Sequence, residues 1–315
     1  MILLLPEYAL AFMEDLQLAG RSKLTLKQYE SDLKNFFHWM NLHKKDTSFD
    51  LFKALRADDI RAYFYYLHEK NLSQATIRRL ASVLSRLMKF HQCIAAEEIH
   101  KLSDTQPMRA LTEADFITKD EYNKLLAVMK TKDSEEQKKS ARNYLLDRNC
   151  AIVLMIRTYG LTPTDIHSLS MDKINFAQNE FVLKTEEYTR TFSLNDNISE
   201  FLRSYFYSIP PLFRPRYHSK DSLFVAFNNI SLSFQYEYDR QRPKRLSVRA
   251  IQEMIKDEVK KANLRKISAV TLRNTAILEA VQKGISDDTL MERFSLTSEA
   301  ALRRYKQYIE IHEDK

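Results

Sequence analysis

The stretch that decides the fold runs from Ala269 to Tyr308: A-V-T-L-R-N-T-A-I-L-E-A-V-Q-K-G-I-S-D-D-T-L-M-E-R-F-S-L-T-S-E-A-A-L-R-R-Y-K-Q-Y. It reads as a helix opened by Leu272 and Arg273, a break at Gly284, a second short helix and a final helix bearing Tyr305. The same helical character extends through the chain. Three glycines in 315 residues, 11% aromatics and long runs rich in Leu, Lys, Glu and Arg argue against barrels and sandwiches, which need turn glycines. The fold class is mainly α, and the length suits two domains with ordinary cores.

The 49 Lys and Arg residues outnumber 42 Asp and Glu, a net charge of +7 that fits nucleic acid or an acidic membrane surface. It equally fits an ordinary basic cytosolic protein. Cys93 and Cys150 lie far apart in apolar helical runs and read as reduced, buried thiols. Met1 to Leu5 is too short for a signal segment and no later apolar run is long enough to span a membrane, so a cytoplasmic protein is expected. No metal site and no cofactor are expected.

Residues 1–91 carry four amphipathic helices. The first starts at Pro6, buries Leu10, Phe12, Met13 and Leu16, and stops at Gly20. The second, Lys23 to Leu42, follows a cap at Ser22 and repeats Tyr29, Leu33, Phe36, Phe37 and Met40 at helical spacing. The third, Ala57 to Lys70, has Asp58 and Asp59 in its first turn, and the fourth begins at the cap Ser73. Residues 92–117 lose this periodicity, contain Pro107 and read as a linker.

In residues 118–315, Thr118 and Glu121 make a capping box for a helix to Met129. A charged turn, Lys130 to Lys139, leads to an apolar helix from Ala141 to Tyr159 that Gly160 ends. Asn179 to Leu194 alternates as a β-hairpin, the one convincing β element. Helix follows from Ile198 to Tyr207, then a loop-rich stretch with the basic run Arg240, Arg242, Lys244 and Arg245. A helix from Ser247 to Ala262 carries Arg249 near its start.

Lys23, Thr25 and Gln28 on the second helix, and Gln74, Thr76, Arg78 and Arg79 on the fourth, suit phosphates and base edges, or simply a solvated face. In their order, R-S-K-L-T-L-K-Q-Y-E-S-D-L and L-S-Q-A-T-I-R-R-L-A-S-V-L-S-R-L resemble two helices of the core-binding domain of the tyrosine recombinase, or phage integrase, family. The closing stretch resembles that family's active-site end. The resemblance implies an N-terminal four-helix SAM-like core-binding domain and a C-terminal, mostly helical catalytic-type domain with a small β-hairpin. It implies double-stranded DNA as partner, self-association through the C-terminal helix, and DNA contacts from those seven residues with Lys184, Arg190, Lys244, Arg245, Arg249 and Arg273.

The family's tyrosine attacks a DNA phosphodiester to give a 3′-phosphotyrosine, aided by two arginines, a hairpin lysine and two histidine-type residues. Tyr305 resembles the nucleophile and Arg273 the second arginine. The rest departs from the pattern. The G-L-R motif of the first arginine is G-L-T-P-T-D-I here, with Thr162 in the arginine's place. Val270 and Asn274 stand at the two histidine positions of the H-x-L-R-H box, and Leu296 replaces histidine or tryptophan in the next. Lys184 lies beside the hairpin position, Thr185 nearer its register, and Arg157 stands one turn before Thr162 as a candidate substitute. Losing one charged donor costs about 3–4 kcal/mol of transition-state stabilisation. The expectation is therefore a catalytically degenerate member, a DNA-binding repressor of a prophage or mobile element. The alternative is an active recombinase using Tyr305.

Overall fold

The protein is described from a computed structural model, which covers residues 4–99, 109–133, 140–184, 189–296 and 298–313. Its chain divides into two compact units, residues 1–109 and 110–315.

The first unit holds α1 (Glu7–Leu18), α2 (Lys23–Lys44), α3 (Phe49–Ala54), α4 (Ala57–Glu69) and α5 (Gln74–Phe90). Ser22 and Ser73 accept the Thr25 and Thr76 amides at 3.1 and 3.2 Å, satisfying N–H groups that the helix leaves unpaired. Phe36, Phe37, Trp39, Phe52 and Tyr63 fill the core, with Phe36 edge-on to Tyr63 at 5.0 Å. Beyond the expected four helices the described residues add α3, and residues 96–99 are helical as well. The additional α3 is only six residues long, too short for a helical period to declare itself.

Cys93, Ala95, Ala96 and Ile99 complete this core, while Leu111, Phe116 and Ile117 are buried in the second unit. The stretch expected to link the units is therefore packed at both ends. Pro107 lies outside the described residues.

The second unit opens with α6 (Lys119–Lys130), whose Thr118–Glu121 capping box forms both of its bonds. A 3-10 turn over Ala141–Tyr144 precedes α7 (Leu146–Tyr159), so the apolar helix begins five residues later than its sequence implies. The Arg142 guanidinium, in that turn, reaches Val128 O and Thr131 O at 2.6 Å and pairs with buried Glu258. Ten residues of α7 are buried, as a central helix requires, and Gly160 ends it at φ 66°.

After α8 (Pro163–Ser168), an antiparallel sheet runs β1 (Ile174–Asn175), β2 (Glu180–Lys184), β3 (Thr189–Ser193). Phe181 is paired and stacked with Phe192 at 4.9 Å. Next come α9 (Asp196–Ser208) and two two-stranded pieces, β4 (Phe227–Asn228) with β5 (Ser233–Phe234) and β6 (Tyr236–Glu237) with β7 (Arg242–Pro243). The hairpin is consequently not the only β structure, although two-residue strands leave no alternation to read.

The chain closes with α10 (Val248–Lys261), α11 (Ala269–Gln282), α12 (Asp287–Phe294) and α13 (Glu299–Glu313). Ala276, Ile277, Ala280, Leu290, Phe294, Leu302 and Tyr305 form a small core with Leu111 and Phe116, apart from the larger one around α7. Both cysteines are free and buried. Among the described residues no helix is long and apolar enough to cross a membrane, and no cluster of His, Cys, Asp or Glu is placed to hold a metal.

Candidate functional site

Leu302 and Tyr305, three residues apart on α13, face the small core. Tyr305 is only 7% exposed, and its hydroxyl donates to Asn274 Oδ1 at 2.8 Å. Asn274, on α11, uses its amide nitrogen on the Asp115 carbonyl at 3.2 Å. Burial raises the phenol's pKa, and the opposing charges of Arg273 and Arg304 do not reverse the shift. The tyrosine is held neutral, by an amide that cannot take its proton.

Arg273 points from α11 to the ends of two helices, donating to Gly160 O after α7 and to Phe294 O in α12. Helix C-termini favour such cations. Burial, with the charge of Arg190, lowers its pKa against the pull of Asp165 and Tyr305. Thr162 caps α8: its amide and hydroxyl reach Asp165 Oδ2 at 2.7 and 2.8 Å, and its Oγ1 accepts the Asp165 amide at 3.1 Å. With Pro163 at the first helical position, Thr162 stands at a capped helix start. Val270 is 61% exposed and Leu296 packs against the small core. The Arg157 guanidinium is held by Glu279 through both its terminal nitrogens and lies 5.3 Å over the Tyr122 ring.

Arg190 is turned inward rather than toward solvent. It donates to Arg293 O at 2.8 Å and pairs with Asp165 at 3.3 Å, fastening β3 to α12 and α8. Arg245 likewise holds a loop through His167 O and Leu169 O. Lys23, Gln28, Gln74, Lys184, Lys244 and Arg249 are exposed. The Thr25 and Thr76 hydroxyls each sit 2.8 Å from their capping serines, Arg78 is half-buried, and Arg79 pairs with Asp32 at 3.2 Å. Thr185 lies outside the described residues.

The helix starts sort themselves by charge. α1, α3, α4, α6, α7, α8, α9, α12 and α13 carry acids in the first turn, whereas α2, α5, α10 and α11 carry none. Lys23 and Arg249 stand in the first turns of α2 and α10, so the positive helix ends are left unneutralised there, as an anion site requires. Sequence reasoning missed Asp165, Asp115 and Asp32. The T-P-T-D capping pattern was a signal for the first, while Asp115 acts through its backbone and Asp32 through a contact between helices, for which the sequence has no sign.

Residues 115–310 match the model of the phage integrase family, and residues 10–97 that of the phage integrase N-terminal SAM-like domain. The chain belongs to the phage integrase family. The tyrosine recombinase XerD of Oceanobacillus iheyensis is 26% identical over 223 residues, 69% of this chain and 69% of that protein. The Tn1549 transposon integrase in complex with a circular intermediate DNA shares the fold at a TM-score of 0.63 and 15% identity, over 98% of this chain and 99% of that one. The XerH site-specific recombinase bound to a palindromic difH substrate does so at 0.65 and 15%, over 94% and 80%. This phage integrase family member thus keeps the fold in both units.

Proposed function

We propose that this phage integrase family member binds double-stranded DNA at a specific sequence and holds it without cutting, acting as a repressor of a prophage or mobile element. The observation that carries this reading is the Tyr305 hydroxyl, buried in an apolar core and bonded to the Asn274 amide. A nucleophile needs a base to activate it and a charged cradle for the phosphorane. Asn274, Val270, Leu296 and Thr162 supply neither at the positions concerned.

DNA affinity needs none of the missing groups, since it arises from phosphate contacts and from helices entering grooves. The acid-free starts of α2, α5 and α10 support such contacts, as do the related XerH and Tn1549 integrase structures, which contain DNA. Repression follows by occupancy of a site. Self-association would use α13, where Ile311 is 57% exposed. The competing reading, strand exchange through Tyr305, draws on the activity named for XerD and on Arg273, whose charge acts on Tyr305.

The test of DNA binding is selection of a preferred duplex from a randomised pool, followed by affinity against salt. Arg78→Ala should weaken binding and reduce the log–log salt slope by about 1, and Arg79→Ala should weaken binding and relax the sequence preference. If neither changes affinity or slope, the docking of α2 and α5 on DNA is wrong. A genome-wide footprint with sites at promoters supports repression, whereas sites only at element ends would contradict it.

A further inference from the structure

Asp32 is an acid where none is needed for packing. It is 2% exposed on α2, and one oxygen, Oδ1, accepts from Gln28 Nε2 at 3.1 Å and forms an ion pair with the Arg79 guanidinium at 3.2 Å. Its Oδ2 is buried without any partner. A buried carboxylate with an unpaired oxygen is costly. It is not the only tie between these helices, for Arg86 of α5 donates to Tyr29 of α2 at 3.1 Å and lies 5.9 Å over its ring.

Asp32 therefore does something that packing does not demand. Gln28 and Arg79 are long side chains that come from different helices, and both reach solvent. Left alone, each would sample many rotamers. Tied to a common acceptor, they are held side by side with defined polarity. Gln28 spends one of its two amide N–H groups inward, which leaves its Oε1 acceptor and one N–H donor uncommitted to Asp32. Arg79 has one nitrogen on the carboxylate and keeps further N–H donors for the outside.

We propose that Asp32 is a specificity-determining positioning residue that joins Gln28 and Arg79 into one base-reading unit. The unit presents an acceptor beside a donor fork. The acceptor suits the exocyclic amine of adenine or cytosine, and the fork suits the O6 and N7 acceptors of guanine. The assignment rests on the reading that the α2–α5 face meets DNA. It adds that discrimination between sequences at this face depends on a residue that touches no DNA.

The experiment uses the full chain, the duplex selected by the wild type, single-base variants of that duplex and an unrelated duplex. Asp32→Asn keeps the shape of the side chain but removes its charge. It should lower the ratio of selected to unrelated binding by about 5- to 100-fold, at the same base positions that Gln28→Ala relaxes. Binding to the unrelated duplex should hold or strengthen, because Arg79 is released to phosphate. General destabilisation would instead weaken both duplexes together, and that result overturns the proposal. So does an unchanged discrimination profile in Asp32→Asn when Gln28→Ala or Arg79→Ala alters it. If all three variants are silent, the DNA-facing reading of α2 and α5 fails, and the proposal with it.

Discussion

Replacing Tyr305 by phenylalanine separates a structural tyrosine from a poised nucleophile. The change keeps the ring in the small core and against Phe116, 6.4 Å away, but removes the 2.8 Å hydrogen bond to Asn274. Asn274 Oδ1 is then a buried acceptor without its donor, while its amide nitrogen still holds the Asp115 carbonyl. Stranding one partner costs about 1–3 kcal/mol. In a folding unit of this size each kcal/mol lowers the melting temperature by about 2–4 °C, so the second unit's transition should fall by about 2–12 °C. Asn274→Leu alone should also destabilise. In the double variant, Tyr305→Phe with Asn274→Leu, the tyrosine loss should cost less than in the wild type, giving a coupling of about 0.5–3 kcal/mol. Calorimetry of the four proteins closes the cycle. A Tyr305→Phe protein as stable as wild type, with no coupling, would refute the reasoning, because a solvent-presented phenol leaves nothing buried behind.

Gly160→Ala should destabilise the second unit by more than the roughly 1–2 kcal/mol of a left-handed residue, since the new methyl would meet the Phe294 ring; urea unfolding measures it. Glu258→Gln removes a charge that faces Arg142 at 3.1 Å and should destabilise in the same assay by less than the roughly 3–5 kcal/mol of a stranded buried charge, because Asp133 still pairs with Arg142 at 3.2 Å. For pH, burial raises Asp32 above its ordinary 3.8, so the folded protein binds the proton more tightly. The resulting contribution falls as pH rises from 3.8 through the folded value, and Asp32→Asn should abolish that loss. Asp221 runs the other way. Burial pushes it up, but the Arg216 bonds prevail and hold it below 3.8, so its contribution disappears as pH drops through the folded value, a loss absent in Asp221→Asn.

Much of this was legible in local chemistry. Ser22, Ser73 and the Thr118–Glu121 pair act within three residues of themselves, and Gly160 ends α7 because only its own backbone must bend. What escaped depends on partners far along the chain. Arg190 is inward because folding delivers Asp165 and Arg293 O to it, and Arg142 is bound by Glu258, 116 residues away. At Thr162 the capping role is written in Pro163 and Asp165, which follow it. At Tyr305 the sequence placed the residue on its helix, and the structure added the burial and the asparagine bond that bear on its chemistry.

The measurement that tests the central claim most directly is a covalent trap. The full chain is incubated with its selected duplex carrying a nick that lets the cleaved end diffuse away, and a protein–DNA band is sought under denaturing conditions. The account predicts tight binding to that duplex and no band above the Tyr305→Phe background. A band that forms with wild type and vanishes in Tyr305→Phe would contradict it.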